Sequence, residues 1–199
     1  MSITLVVGLG NPGREYADTR HNLGWRVLDA LAAREKLVWK NQPSFEAEVA
    51  RWERPGQRPV LLAKPLTYMN ESGRAVRALA SYFKVANAAI AAVYDDLTIP
   101  LGLLKVSDHG SAGGHNGVAS LLELLGDGFI RFRLGIGPKT PAQMDLKDFV
   151  LGKFSSEQNQ IVEQHLPTFV SGLGLLIDSG PSRAMNSLNR RVQHEPEHP

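Results

Sequence analysis

Short apolar runs ending at Gly-rich or polar loops alternate along this chain with longer stretches of helical periodicity. Ile3 to Gly8 reads as a buried strand ending at glycines. From Gly24 a helical pattern follows, with Trp25, Leu28, Leu31 and Ala32 on one face and Arg26, Asp29 and Arg34 largely opposite. Phe45, Ala47 and Val49 alternate with Glu46 and Glu48, which predicts a half-exposed strand. After the turn Arg54-Pro55-Gly56, Val60 to Ala63 predicts a strand that pairs back on it. Val76, Leu79, Ala80 and Phe83 mark a second amphipathic helix, and Ala89 to Tyr94 a buried strand ending at Asp95-Asp96.

Leu103 to Val106 predicts another short strand, Gly117 to Leu125 a helix, and Phe132, Leu134 and Ile136 a strand whose opposite face carries Arg131 and Arg133. Ser155-x-x-Gln158 has the form of a capping box opening a long helix with Ile161, Val162, Phe169, Val170, Leu173 and Ile177 inside. Pro167 is expected to kink that helix, Gly180-Pro181 to end it, and a last short helix carries Met185 and Leu188. Strands alternating with helices predict an α/β class fold: a single-domain three-layer α/β/α sandwich with a twisted mixed central sheet. The domain is expected over 1–193, with 194–199 as a frayed tail.

Composition narrows the chemistry. The 199 residues fit one domain; 43% are hydrophobic and 21% charged, ordinary values for a soluble protein. No apolar run approaches the ~18 residues of a membrane span, and the N-terminus lacks the pattern of a signal peptide, so the expectation is a cytoplasmic protein that does not engage a membrane. The absence of cysteine excludes disulfides, thiolate metal sites and cysteine nucleophiles. A net charge of +2 does not make the chain a general nucleic-acid binder. The placement of Arg20, Lys64, Lys105, Arg131 and Arg133 beside the polar loops matters more.

Four polar clusters fall at or after strand ends, where ligands gather in open α/β sheets. They are Gly8-Leu9-Gly10-Asn11-Pro12-Gly13 running on to Thr19-Arg20-His21-Asn22; Thr67 to Gly73; Tyr94-Asp95-Asp96-Leu97; and Gly110-Ser111-Ala112-Gly113-Gly114-His115-Asn116-Gly117. Gly8, Gly10 and Gly13 match GxGxxG, but Pro12 and Gly13 interrupt where a dinucleotide-binding turn should enter its helix. No GxSxG elbow exists, since His109 stands two residues before Ser111. A metal would need His21, His109 and His115 to converge, and no carboxylate spacing predicts it. There remains a base candidate, His21, and an acid at the tip of a buried strand, Asp95, which needs a partner such as a histidine N–H. Asn11, Asn70 and Asn116 lie in three different clusters. Each alone fits a turn; converging, they would offer neutral donors and acceptors to a substrate.

In order and spacing these clusters resemble the bacterial-type peptidyl-tRNA hydrolases. The matching stretches are Gly8 to Gly13 with Tyr16 and Thr19 to Asn22; Tyr68-Met69-Asn70-x-Ser72-Gly73; Asp95-Asp96-Leu97; Gly110 to Gly117; Arg133 to Gly137; Phe149 to Lys153; and Ala184-Met185-Asn186. The resemblance covers nearly the whole chain. It implies a monomeric α/β/α enzyme, without metal or organic cofactor, that cleaves the ester joining a peptide to the terminal ribose of tRNA. It also implies His21 as catalytic base and Asp95 as its orienting acid. Asn11, Asn70 and Asn116 fall on substrate- and water-binding positions, Tyr16 and Tyr68 on the lining of the tRNA-end and peptide site, and His115 on a neighbouring site position. Lys105, Arg131 and Arg133 are the expected phosphate contacts to tRNA. Thr98 stands where many relatives carry an acid, and Ser107 and Asp108 occupy a region that is often basic, so the tRNA surface departs from the family's pattern. An RNA-binding relative without activity, or an esterase for another N-acylated ester, remains an alternative.

Overall fold

The computed structural model describes residues 2–189; the expected domain end at 193 and the tail 194–199 lie outside the described residues. Seven strands form one mixed sheet in the order β2-β3-β4-β1-β5-β7-β6. They are β1 (Leu5–Gly8), β2 (Lys40–Gln42), β3 (Ala47–Trp52), β4 (Val60–Pro65), β5 (Ile90–Pro100), β6 (Leu104–Ser107) and β7 (Ile130–Gly137). The central four, β4-β1-β5-β7, are parallel, while β2, β3 and β6 run antiparallel to their neighbours.

The near-continuous apolar runs of β1, β4 and β5 reflect a sheet buried on both faces. Successive side chains alternate between two cores. Val6, Leu62, Ala91 and Val93 join α1 (Leu23–Arg34), α5 (Ser156–Ser179) and α6 (Pro181–Leu188) on one side. Leu5, Val7, Leu61, Ala63, Ala92 and Tyr94 join α2 (Ser72–Tyr82) and α3 (Asn116–Leu125) on the other. A short helix, α4 (Leu146–Leu151), packs against a one-turn 3-10 helix at Arg20–Asn22.

Several elements differ from the sequence reading. Phe45 lies in a 3-10 turn and Glu46 is left-handed at φ 49°, so the alternating strand begins at Ala47. The edge strand β2 is polar and carries no hydrophobic signal. Strand β5 does not end at Tyr94 but continues to Pro100, with a register shift between Asp96 and Pro100. As expected, the capping box of Ser155 and Gln158 opens α5, and Pro167 lies within that helix. At the far end, Asn189 donates from Nδ2 to the Val106 carbonyl (2.9 Å) and accepts the Val106 N–H (2.8 Å), tying the end of α6 to edge strand β6.

The packing of α1 on the sheet explains Gly8 of the GxGxxG match, together with Gly24. A methyl group on Gly8 would lie 2.8 Å from the Gly24 carbonyl oxygen, and one on Gly24 only 2.3 Å from that of Val93. Helix α1 therefore starts in direct backbone contact with β1 and β5, and these glycines permit that approach.

Candidate active site

The carboxyl ends of β4, β1 and β5 lie side by side, so the segments after them open into one pocket of about 1070 Å³. Asn11 and His21 follow β1, Tyr68 and Asn70 follow β4, Asp95 lies on β5, and His115 and Asn116 open α3. All of these border the pocket together with Tyr16. The four clusters thus converge, although they come from widely separated parts of the chain.

At the base of the pocket two histidines share one carboxylate. His21 Nδ1–H donates to both Asp95 oxygens, at 2.9 and 3.1 Å. His115 Nε2–H donates to Asp95 Oδ1 at 3.1 Å. His115 Nδ1 accepts the N–H groups of Gly117 (3.1 Å) and Val118 (3.3 Å), so its proton must sit on Nε2. The three residues are 6%, 3% and 9% exposed, which keeps water from competing for these bonds.

Burial by itself would raise the Asp95 carboxyl, but the neighbouring His21 and His115 hold it well below the usual carboxylate range. For His21, burial opposes the charged form, yet the Asp95 charge and hydrogen bond outweigh it and leave the imidazole above its ordinary value. With Nδ1 committed to Asp95, the remaining nitrogen of His21 is Nε2.

His21 is placed by the segment around it. The Arg20 N–H donates to the Gly152 carbonyl at 3.0 Å, and the Arg20 side chain donates to the Phe149 carbonyl and to Gln158. Its guanidinium also lies over the rings of Phe149 and Phe154. The Phe149 to Lys153 stretch is thus a bracket for the 3-10 turn that carries His21.

Asn11 is fixed just as firmly. Its backbone exchanges two hydrogen bonds with the Asn22 amide, at 2.8 and 2.9 Å. Its Oδ1 accepts the Met69 N–H at 2.8 Å, which leaves Nδ2 as the free end of the amide. Asn22 was legible only as part of its cluster; its role as the partner of Asn11 depends on contacts that sequence does not reveal. Asn70, Asn116 and Tyr68 are exposed to the pocket mouth, and Tyr16 is half-buried.

The expected cations separate. Lys105 on β6 is exposed and lies opposite Arg133 on β7. Arg133 is anchored through Nε to Asp96 (2.8 Å) and through Nη2 to the Thr98 hydroxyl (3.2 Å). Thr98, where an acid was the family's pattern, also hydrogen-bonds the Asp96 carboxylate. Arg131, also expected as a phosphate contact, is placed differently. It shares the strand face of Arg133 but is 2% exposed, donating to the Ser111 carbonyl (2.8 Å) and Asp127 (3.1 Å) and lying over Phe129. Its charge therefore braces the Gly-rich loop from below. Lys64, another cation noted beside the clusters, is likewise buried, paired with Asp29 and Glu48 over the Trp39 ring.

Ligating atoms of His21, Asp95 and His115 lie within 4.8 Å of one another, so the trio has the donor set of a metal site. A cation there would have to replace both imidazole protons that now face Asp95. His109 does not join them: its side chain is 83% exposed and faces Asp108.

A mixed parallel sheet with a His–Asp pair in a pocket at its carboxyl edge defines an enzyme of the α/β class. The family model described as peptidyl-tRNA hydrolase matches residues 5–196. A peptidyl-tRNA hydrolase of Gloeobacter violaceus is 41% identical over 200 residues, covering all of both chains. One from Chloroflexus aggregans is 43% identical over 187 residues, 93% of this chain and 98% of the relative. The crystal structure of peptidyl-tRNA hydrolase from Acinetobacter baumannii superposes with a TM-score of 0.86 at 36% identity, covering 94% of each chain. The chain belongs to the peptidyl-tRNA hydrolase family, and it is an ester hydrolase. No helix among the described residues is long and apolar enough to cross a membrane.

Proposed function

We propose that this enzyme hydrolyses the ester between the peptide, or another N-blocked aminoacyl group, and the terminal ribose of tRNA, recycling tRNA from prematurely released chains. The observation that carries the reading is the commitment of His21 Nδ1–H to Asp95 at the base of the pocket, which leaves Nε2 to take a proton from water. As water attacks the ester carbonyl, its proton passes to Nε2, and Asp95 stabilises the imidazolium that forms. Collapse of the tetrahedral intermediate breaks the bond to the ribose oxygen, which receives the proton back from His21.

The amides of Asn70 and Asn116 are the neutral donors for the developing oxyanion, and one such donor is worth roughly 3 kcal/mol. Asn11 supports selectivity. With Oδ1 held by Met69, Nδ2 offers an N–H to a peptide carbonyl, whereas the ammonium of a free aminoacyl group would meet a donor. Tyr16 and Tyr68 flank the peptide and the tRNA end, and Lys105 and Arg133 take phosphate. The buried Arg131 is left out of that surface. In this reading the enzyme works as a cytoplasmic monomer with no cofactor.

The test is release of the acyl group from N-blocked aminoacyl-tRNA by wild type and His21→Ala, with free aminoacyl-tRNA as control. Rapid cleavage of the blocked substrate alone, lost in the variant, is the expected result. A folded wild type that binds tRNA and cleaves nothing would overturn the proposal.

A further inference from the structure

We propose that His115 is a positioning residue that holds the Asp95 carboxylate through a second N–H and thereby sets the basicity of His21. This deepens the proposed reaction and rests on His21 being its base.

The residue at 115 does two things at once. As the N-cap of α3 it accepts the N–H groups of Gly117 and Val118 on Nδ1, a place where Ser, Thr, Asp or Asn is the usual choice. Those short side chains end at the cap, whereas imidazole carries a second nitrogen across the ring, and here it donates to Asp95. Two helix N–H groups on Nδ1 fix the tautomer, so Nε2 can serve Asp95 only as a donor. The His21 and His115 rings are 4.6 Å apart, and the Tyr94 ring meets His115 edge-on at 5.0 Å, so His115 has little room to turn away.

The consequence is electrostatic. A carboxylate accepting one N–H bond would present nearly all its charge to His21; one accepting from both sides is itself stabilised and attracts the His21 proton less. The ionisable groups meeting at Asp95 are His21 from the 3-10 turn and His115 at the start of α3; Tyr94, its neighbour on the strand, points to the opposite face and meets the His115 ring. Tyr94 stays neutral, its hydroxyl pushed up to about 12 chiefly by burial, and Arg133, Arg131 and Asp96 act on that hydroxyl. His115 is thus the neighbour that shares Asp95 directly with His21.

His115→Asn separates the two tasks. The Asn Oδ1 retains the cap on α3, but no N–H reaches across to Asp95. The expected result is a folded protein of somewhat lower Tm, since buried Asp95 loses a hydrogen bond, with the acid limb of kcat/KM moved to higher pH by about half a unit, as Asp95 attracts the His21 proton more strongly. On the plateau, kcat should fall about tenfold with KM changed less than about twofold, because Asp95 has lost one of its two anchors. An acid limb and kcat matching wild type would reduce His115 to a helix cap and overturn the proposal. Should His115→Asn fail to fold, ¹⁵N-histidine NMR of the wild type decides: a proton on Nδ1 of His115 would refute the arrangement. His21→Ala, assayed alongside, keeps the two ideas apart. Full activity in that variant would remove the base assignment itself, whereas an inactive His21→Ala with an unaltered His115→Asn profile would remove the positioning role alone.

Discussion

The Arg20 guanidinium lies 4.3 Å from the centre of the Phe149 ring and donates to the Phe149 carbonyl at 3.0 Å, across 129 residues of chain. This contact bolts the turn carrying His21 to helix α4. Phe149→Ala should therefore cost about 3–4 kcal/mol of stability, as for a fully buried aromatic ring, and lower kcat beyond what a neutral core mutation does. Denaturant unfolding and single-turnover rates at a temperature where both proteins are folded would check it.

Asp95→Asn keeps the size of the side chain but removes the charge that stabilises the His21 imidazolium. We expect kcat to fall about 10³–10⁴-fold with little change in KM, and the acid limb to move to lower pH. An Asn variant within tenfold of wild-type kcat would contradict the role given to Asp95.

The same pair makes stability depend on pH in two windows. Asp95 is depressed in the folded protein, so its contribution is complete above the ordinary carboxylate range and is lost as pH falls from about 4 toward its folded value. His21 is raised, so its contribution is complete below the ordinary imidazole value, about 6.5, and is lost as pH rises through the folded one. Unfolding measured from pH 3 to pH 9 should show both slopes in wild type and a weaker acid slope in Asp95→Asn.

Asn11→Asp preserves the acceptor for the Met69 N–H but replaces the free Nδ2 with a charged oxygen. The ratio of activity on N-blocked to free aminoacyl-tRNA should drop at least about tenfold, since the new group favours an ammonium over a carbonyl. An unaltered ratio would show that discrimination lies elsewhere.

Lys105→Ala and Arg133→Ala should raise KM for full-length tRNA substrates, each reducing the slope of log(kcat/KM) against log salt by about one. Arg131→Gln should instead lower Tm and leave that slope alone, because the guanidinium faces Ser111 and Asp127 within the protein. Stopped-flow or steady-state assays over a salt series distinguish the two behaviours.

What sequence made legible follows from how local each signal is. The apolar runs of β1, β4 and β5 and the capping box of α5 depend on neighbours within a few residues, and the fold follows them closely. Asn11, Asn70 and Asn116 could be singled out because segments after strands meet at one edge, and Asp95 because an acid at the tip of a buried strand needs a partner, whereas His115 entered through the family resemblance. Arg131 could not be told from Arg133 by pattern, since both occupy the same face of β7. What separates them is tertiary: the Gly-rich loop covers one and Asp96 anchors the other. Similarly, nothing local marks β2, whose exposed Lys40 and Asn41 read as loop, or the Asn22 amide that holds Asn11.

The bond between Asn189 and Val106 gives the sheet a boundary. An edge strand with free N–H and carbonyl groups is a template on which a foreign strand can grow, and β6 carries that hazard beside the cations expected to meet tRNA. By taking one donor and one acceptor from the same residue, Asn189 occupies a place where, among the described residues, no strand pairs with β6. At the opposite edge, the short and polar β2 discourages growth by other means. The final turn of α6 is in this sense a guard against self-association, and a chain cut short before Asn189 loses it while keeping every residue of the active site.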